Sequence, residues 1–246
     1  MVEIDQATIT SLATAGAASA AGLMTYAVRG RSSAILAPSI YRGDPDKPEI
    51  ALTFDDGPSM STPALLEVLA EHDVKATFFM CGRNVRRFPA ITREVLAQGH
   101  DLGNHTESHN YLHFHSPEHV YREIAMAQQS IRTVTGVRPR FFRPPYGVRW
   151  FGLRGAQEKL GLTGVMWTVI GRDWKWSGPR VARLMLSRVQ NGSILCLHDG
   201  RGTLPSPDIR PTIEAVEMLV PRLIDRGYKF VTLTEMLCRN QSRSWR

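Results

Sequence analysis

The chain predicts an α/β fold built on a parallel sheet, and three observations carry that expectation. From residue 49 onward, seven short apolar, β-branched runs alternate with segments of helical period. The connections between them are short, which favours right-handed βαβ units. The polar residues that stand out fall at the carboxyl ends of the runs, the edge where parallel α/β folds assemble their sites. Seven such strands suit either a doubly wound sheet or an incomplete barrel.

The runs, in order, are IALTF (50–54), KATFFM (75–80), HDLG (100–103), RFFRP (140–144), GVMWTVI (164–170), SILCLHD (193–199) and YKFVTL (228–233). Between them lie helical segments over 62–73, 89–99, 116–136, 151–161, 178–192 and 208–227. Several open with Ser/Thr-Pro or Gly-Pro and close on Gly. Pro has no N–H to lose in a first turn, and Gly adopts the left-handed conformation that ends a helix.

At 246 residues, 43% of them apolar, the chain can bury one large core. Its three cysteines are far apart and odd in number, which argues against a disulfide framework and a thiolate metal site. The net charge of +7 fits a solvated basic surface or attraction to a polyanion. No Lys/Arg block interleaved with aromatics occurs outside the tail at 239–246, so nucleic acid is not an expected partner. Residues 7–28 carry no charge and are long enough to cross a bilayer. Their Ala, Thr, Ser and Gly content makes the hydrophobic drive weak, and Glu3 and Asp5 replace the basic start of a secretory signal. The basic residues follow the segment, a bias that keeps the next domain inside. The expected organisation is an apolar N-terminal helix or anchor at 1–28, a linker at 29–47, a globular domain at 48–240 and a basic tail at 241–246.

Asp55 and Asp56 end the first run as adjacent like charges. HTESH sets His105 and His109 four apart, and one helical turn would aim both imidazoles the same way. Two His and a carboxylate make a common ligand set for a catalytic divalent metal. FRPPYG presents Arg143 on a loop stiffened by two prolines, where it could hold one Asp ionised and oriented. ILCLHD ends an apolar strand on His198, and GRDW supplies Asp173 to fix a His tautomer and Trp174 as a flat wall. His72, His100, His113, His115 and His119 read as structural or solvated.

TFDDGP, HTESH, RPPYG, RDW and LCLHD, in this order over roughly residues 48–236, resemble the motifs of the polysaccharide deacetylases, the NodB-type carbohydrate esterases of family 4. The resemblance implies a distorted (β/α)7 barrel and a metal-dependent hydrolase that removes N-acetyl groups from a peptidoglycan- or chitin-like polymer or oligomer. Carried over by position, Asp56, His105 and His109 would hold the divalent metal, usually zinc, sometimes cobalt or nickel. Asp55 would be the base, paired with Arg143. The backbone N–H of Tyr146 would stabilise the oxyanion, and His198, tuned by Asp173, would be the acid. Trp174 and Leu197 would line the pocket for the acetyl methyl. One departure stands out: the family commonly reads Asp-x-x-Asp-Trp, and here Ile170 occupies the first Asp.

Two other functions compete with this one: hydrolysis of a small cyclic amide by a related enzyme, and carbohydrate binding without turnover, which the Ile170 departure alone supports. The substrate class places the domain at the cell envelope or outside the cell, with residues 7–28 as a membrane association, against the charge bias.

Overall fold

The computed structural model describes residues 6–238. The chain opens with helix α1 (Gln6–Arg29) and a short strand β1 (Ser39–Ile40). Then come β2 (Glu49–Asp55), α2 (Thr62–Glu71), β3 (Thr77–Met80), α3 (Gly82–Arg87), α4 (Pro89–Ala97) and β4 (Asp101–Asn104). The middle of the chain forms α5 (Pro117–Thr135), β5 (Phe141–Phe142), a 3-10 turn at Pro145–Gly147, α6 (Leu153–Leu160) and β6 (Thr163–Val165). It finishes with β7 (Val169–Ile170), α7 (Gly178–Arg188), β8 (Ile194–His198), α8 (Arg210–Asp225), β9 (Lys229–Phe230) and α9 (Leu233–Cys238). Helix α5 shows the local logic: Ser116 Oγ accepts from His119 N at 3.3 Å, Pro117 opens the helix, and Gly136 closes it at φ 77°.

The named strands pair in parallel in the order β1-β6-β5-β4-β3-β2-β8-β7, with β9 against β2. The single apolar run at 164–170 divides into β6 and β7, which lie towards opposite ends of that order. Residues 166–168 therefore carry the chain across the gap, and the sheet curls into a distorted barrel closed by covalent continuity. Met166 N donates to Ile40 O at 2.7 Å, and Thr168 N to Ile194 O at 2.8 Å, at the two sides of the crossing.

Strand alternation sorts the core. In β2, Ile50, Leu52 and Phe54 face the helices and join Leu65, Leu69, Val216 and Leu219. Ala51 faces the barrel interior with Phe79, Phe141, Val165 and Ile194. Asp55 falls on the interior parity at the strand's carboxyl end, so it opens into the barrel mouth.

Two expectations change here. The segment at 29–47, read as a linker, contributes β1, which extends the sheet beside β6. Basic side chains tether this segment: Arg31 donates to Thr168 O, Arg149 to Gly30 O, and Arg154 Nη2 to Ala34 O at 2.8 Å. The HTESH segment is not helical. It is a loop after β4 in which Thr106 (φ 66°) and His109 (φ 58°) take left-handed conformations, so the loop itself aims the two rings. The helical spacing gave the right convergence for the wrong local reason. Among the described residues, no helix is long and apolar enough to cross a membrane. The tail at 241–246 lies outside the described residues.

Candidate active site

Every strand end flagged by the sequence reaches one mouth. A cavity of about 530 Å³ is lined by Asp55, Asp56, His105, His109, Tyr146, Trp174 and His198, and also by Arg29, Tyr111, Trp167, Ile170 and Arg201. Arg143 lies beneath it, fully buried.

The two adjacent carboxylates diverge because Asp56 sits at φ 75°, which turns its side chain off the strand direction. Asp55 Oδ1 accepts from Arg143 Nη1 at 2.7 Å, and its Oδ2 lies 3.4 Å from Cys196 Sγ. Arg143 also donates to Thr53 Oγ1 at 2.8 Å and to the carbonyls of Val165 and Met166 at 3.2 and 3.1 Å, with its guanidinium 4.1 Å from the Phe79 ring centroid. A guanidinium committed on so many sides cannot swing away from Asp55.

Asp56 faces the histidines. Its Oδ1 lies 2.9 Å from His109 Nε2 and 3.3 Å from His105 Nε2, yet it is buried and accepts no hydrogen bond. Gly202 N donates to the other oxygen at 2.8 Å. His105 Nδ1 lies 2.7 Å from Arg143 O, a carbonyl that can accept a hydrogen bond from Nδ1 and so aims Nε2 at Asp56. Burial pushes the Asp56 carboxyl up, but the His105 and His109 contacts outweigh it and hold it well below the usual carboxylate range. A buried oxygen without a donor and imidazole nitrogens aimed at it fit a divalent cation, and the three ligand atoms lie within 4.8 Å of one another. Asp55, Cys196 and His198 form a second such group. It is a poor ligand set, because burial and the charge of Asp55 push the Cys196 thiol well up. The thiolate that a metal needs is thereby disfavoured.

His198 stands across the cavity. Its Nδ1 contacts Asp173 Oδ1 at 2.8 Å, and its backbone N donates to Asp173 Oδ2 at 2.9 Å. Thr212 Oγ1 donates to the same Oδ2 at 2.6 Å, and the Trp174 ring packs edge-on against the imidazole at 4.9 Å. Burial disfavours the charged ring, but Asp173, with smaller contributions from Asp56 and Asp55, reverses this and raises its pKa to about 9. Asp173 is itself pushed up by burial and drawn below the usual range by His198, Thr212 and Arg201. In the metal-free protein this favours the imidazolium at neutral pH. Because the folded pKa lies above the unfolded value of roughly 6.5, its stabilising contribution is complete below that value and is lost as pH rises through about 9. NMR titration of the metal-free protein should show a histidine ring titrating near 9 that drops towards the ordinary value in Asp173→Asn. An identical titration in both proteins would refute the assignment.

Leu197 does not line this cavity. It is fully buried among the core residues that face the helices. The alternation of β8 sends Cys196 and His198 inward and Leu197 outward. Ile170 does line it, as an apolar patch on β7 away from the Asp56 group. Tyr146 occupies a left-handed position (φ 58°), with its ring 4.7 Å from His109 and stacked on Tyr111 at 3.8 Å.

Sequence reading missed three supports. Asn84 Nδ2 donates to Asp56 O at 2.8 Å and Gly202 O at 2.9 Å, tying both sides of the mouth together. A lone Asn in a short helix carries no signal for this. Tyr111 extends the aromatic wall. Asp199, adjacent to His198 in the HD pair, accepts from Thr62 Oγ1 at 2.7 Å, and burial raises its carboxyl to about 7. It also explains Gly57: a Cβ there would sit 2.0 Å from Asp199 Oδ2. Gly57→Ala should therefore destabilise the fold by about 1–3 kcal/mol through overpacking, read as a lower denaturant midpoint. An unchanged midpoint would contradict the contact.

Known proteins resemble this chain in sequence and fold. The family model described as polysaccharide deacetylase matches residues 42–165. A peptidoglycan-N-acetylglucosamine deacetylase of Bacillus cereus is 34% identical over 206 residues, covering 82% of this chain and 73% of the relative. A chitooligosaccharide deacetylase of Azorhizobium caulinodans is 38% identical over 190 residues, covering 73% of this chain and 90% of the relative. The crystal structure of a peptidoglycan N-acetylglucosamine deacetylase superposes with a TM-score of 0.75 at 35% identity, over 80% of this chain and 91% of that one. With five motifs in order, a curled parallel sheet and this degree of identity, the chain belongs to the polysaccharide deacetylase family.

Proposed function

We propose that the chain is a metal-dependent amidohydrolase that releases acetate from N-acetylglucosamine units of a glycan, with zinc as the metal. The observation that carries this is the division of the Asp55–Asp56 pair: one carboxylate is locked to Arg143, the other faces two imidazoles. Asp56, His105 and His109 would hold the cation, which supplies Lewis acidity and a more acidic water. Asp55, kept oriented by Arg143 and poorly solvated at 3% exposure, takes the proton from the attacking water. The backbone N–H of Tyr146 serves the developing oxyanion, a contribution typically worth about 3–4 kcal/mol for one such donor. His198, with Nδ1 engaged by Asp173, delivers the Nε2 proton to the departing sugar amine, which would otherwise leave as an unstable anion. Trp174 walls the cavity beside His198, and Ile170 adds apolar surface where a carboxylate would carry charge. The basic chain and its substrate class favour a place at the cell envelope.

The direct test is acetate release from N-acetylglucosamine oligomers and from peptidoglycan, before and after chelation, with the metal identified by elemental analysis. Loss on chelation and recovery with zinc are expected. Full activity in metal-free protein would refute the proposal.

A further inference from the structure

We propose that the C-terminal end of α1 is part of the substrate site and that Arg29 there binds a carboxylate on the glycan beside the reacting N-acetylated sugar. This rests on the hydrolytic reading above and narrows its substrate class to acidic glycans.

Arg29 lines the catalytic cavity and also a neighbouring one of about 310 Å³, so it stands at their shared wall. The other arginine lining the catalytic cavity, Arg201, is engaged: its Nη2 donates to Asp173 O at 3.1 Å and its Nη1 to Gly200 O at 2.7 Å. Arg29 is exposed, and among the described residues no ion pair or hydrogen bond of its side chain is found. Its backbone is nevertheless held in place. Arg149 N donates to Val28 O at 3.0 Å, and the buried guanidinium of Arg149 donates to Gly30 O. An uncommitted cation on an anchored backbone is preorganised for an anion, and a guanidinium matches a carboxylate with two parallel hydrogen bonds.

The neighbouring cavity suits a sugar. Its walls include Met24, Val28, Val148, Phe114 and Trp150. Aromatic rings run to it from the catalytic mouth without a break. The centroid steps are Tyr146–Tyr111 at 3.8 Å, Tyr111–His113 at 5.0 Å, His113–Phe114 at 4.7 Å and Phe114–Trp150 at 5.0 Å. Phe114 is 82% exposed, an open apolar face on the neighbouring cavity. A pyranose presents C–H groups to such faces, and its substituents reach the rim. A neutral chitin-like neighbour leaves Arg29 without a partner; an ether-linked carboxylate, as on a muramic acid residue, supplies one. Arg29 lies in the N-terminal segment, outside residues 42–165 where the family model matches.

The test is equilibrium binding by calorimetry of the full chain to three probes: the N-acetylglucosaminyl–N-acetylmuramic acid disaccharide, N,N′-diacetylchitobiose, and anionic phospholipid vesicles. The wild type should bind the acidic disaccharide about three- to fivefold more tightly, the size of one exposed ion pair, with the preference shrinking as salt is raised. Arg29→Gln should abolish the preference, and Phe114→Ala should weaken both sugars together. No preference in the wild type, or one that survives in Arg29→Gln, would overturn the proposal. So would an Arg29→Gln variant that loses only its binding to anionic phospholipid vesicles. Because the readout is binding, absent acetate release with the preference intact would overturn the hydrolytic reading and leave this one standing.

Discussion

Asp55→Asn should reduce acetate release by about a thousandfold, within the range usual for removal of a general base, while the protein keeps its metal. The amide preserves the shape and can still accept from Arg143 Nη1, now at 2.7 Å from the carboxylate, so the scaffold under the cavity stays in place. What disappears is the capacity to take a proton. Elemental analysis beside the acetate assay separates the two roles. If Asp55→Asn loses the cation together with the activity, Asp55 is a ligand rather than the base. If it retains full activity, neither role stands.

His109→Ala should produce the opposite pattern: loss of bound divalent metal first, and loss of acetate release to background with it. His109 Nε2 is the nitrogen nearest to Asp56 Oδ1, at 2.9 Å, and its removal leaves only one imidazole and one carboxylate oxygen to hold a cation. Two protein ligands fall short of the three that catalytic zinc sites normally use. The Asp56 carboxylate, 6% exposed and already without a hydrogen-bond donor on Oδ1, would also lose one of the two contacts that keep it ionised against burial. Stoichiometric zinc in purified His109→Ala would remove His109 from the ligand set.

Much of the site was legible because each of its residues terminates or closely follows a strand. A parallel sheet puts all such ends on one edge, so the linear order of DD, HTESH, RPPYG, RDW and LCLHD already implied a common mouth. Charge suggested that Arg143 would hold one Asp and Asp173 a His; the resemblance chose Asp55 and His198, and both contacts are present at 2.7 and 2.8 Å. The supports were harder to read. Asn84 and Asp199 act through backbone atoms and a glycine's missing side chain, and neither leaves a periodic or compositional trace. Leu197 was misplaced because the resemblance carried it over by position, whereas side-chain direction in a strand changes with every residue.

Apart from the base and acid roles, which the resemblance of the motifs implied, the sequence by itself determined the α/β class, the strand ends that carry chemistry and the residue types suited to a cation. Hydrophobic period and local charge encode these over a few residues. Tertiary structure alone decided three things that depend on contacts far apart in the chain. The run at 164–170 is a crossing that closes the barrel rather than one strand, because its two halves pair with different neighbours. The two histidines converge through left-handed loop residues rather than a helical turn. Arg29, at the end of an apolar segment with no catalytic motif, lies at the mouth because residues distant in sequence, Arg149 among them, hold that segment against the barrel.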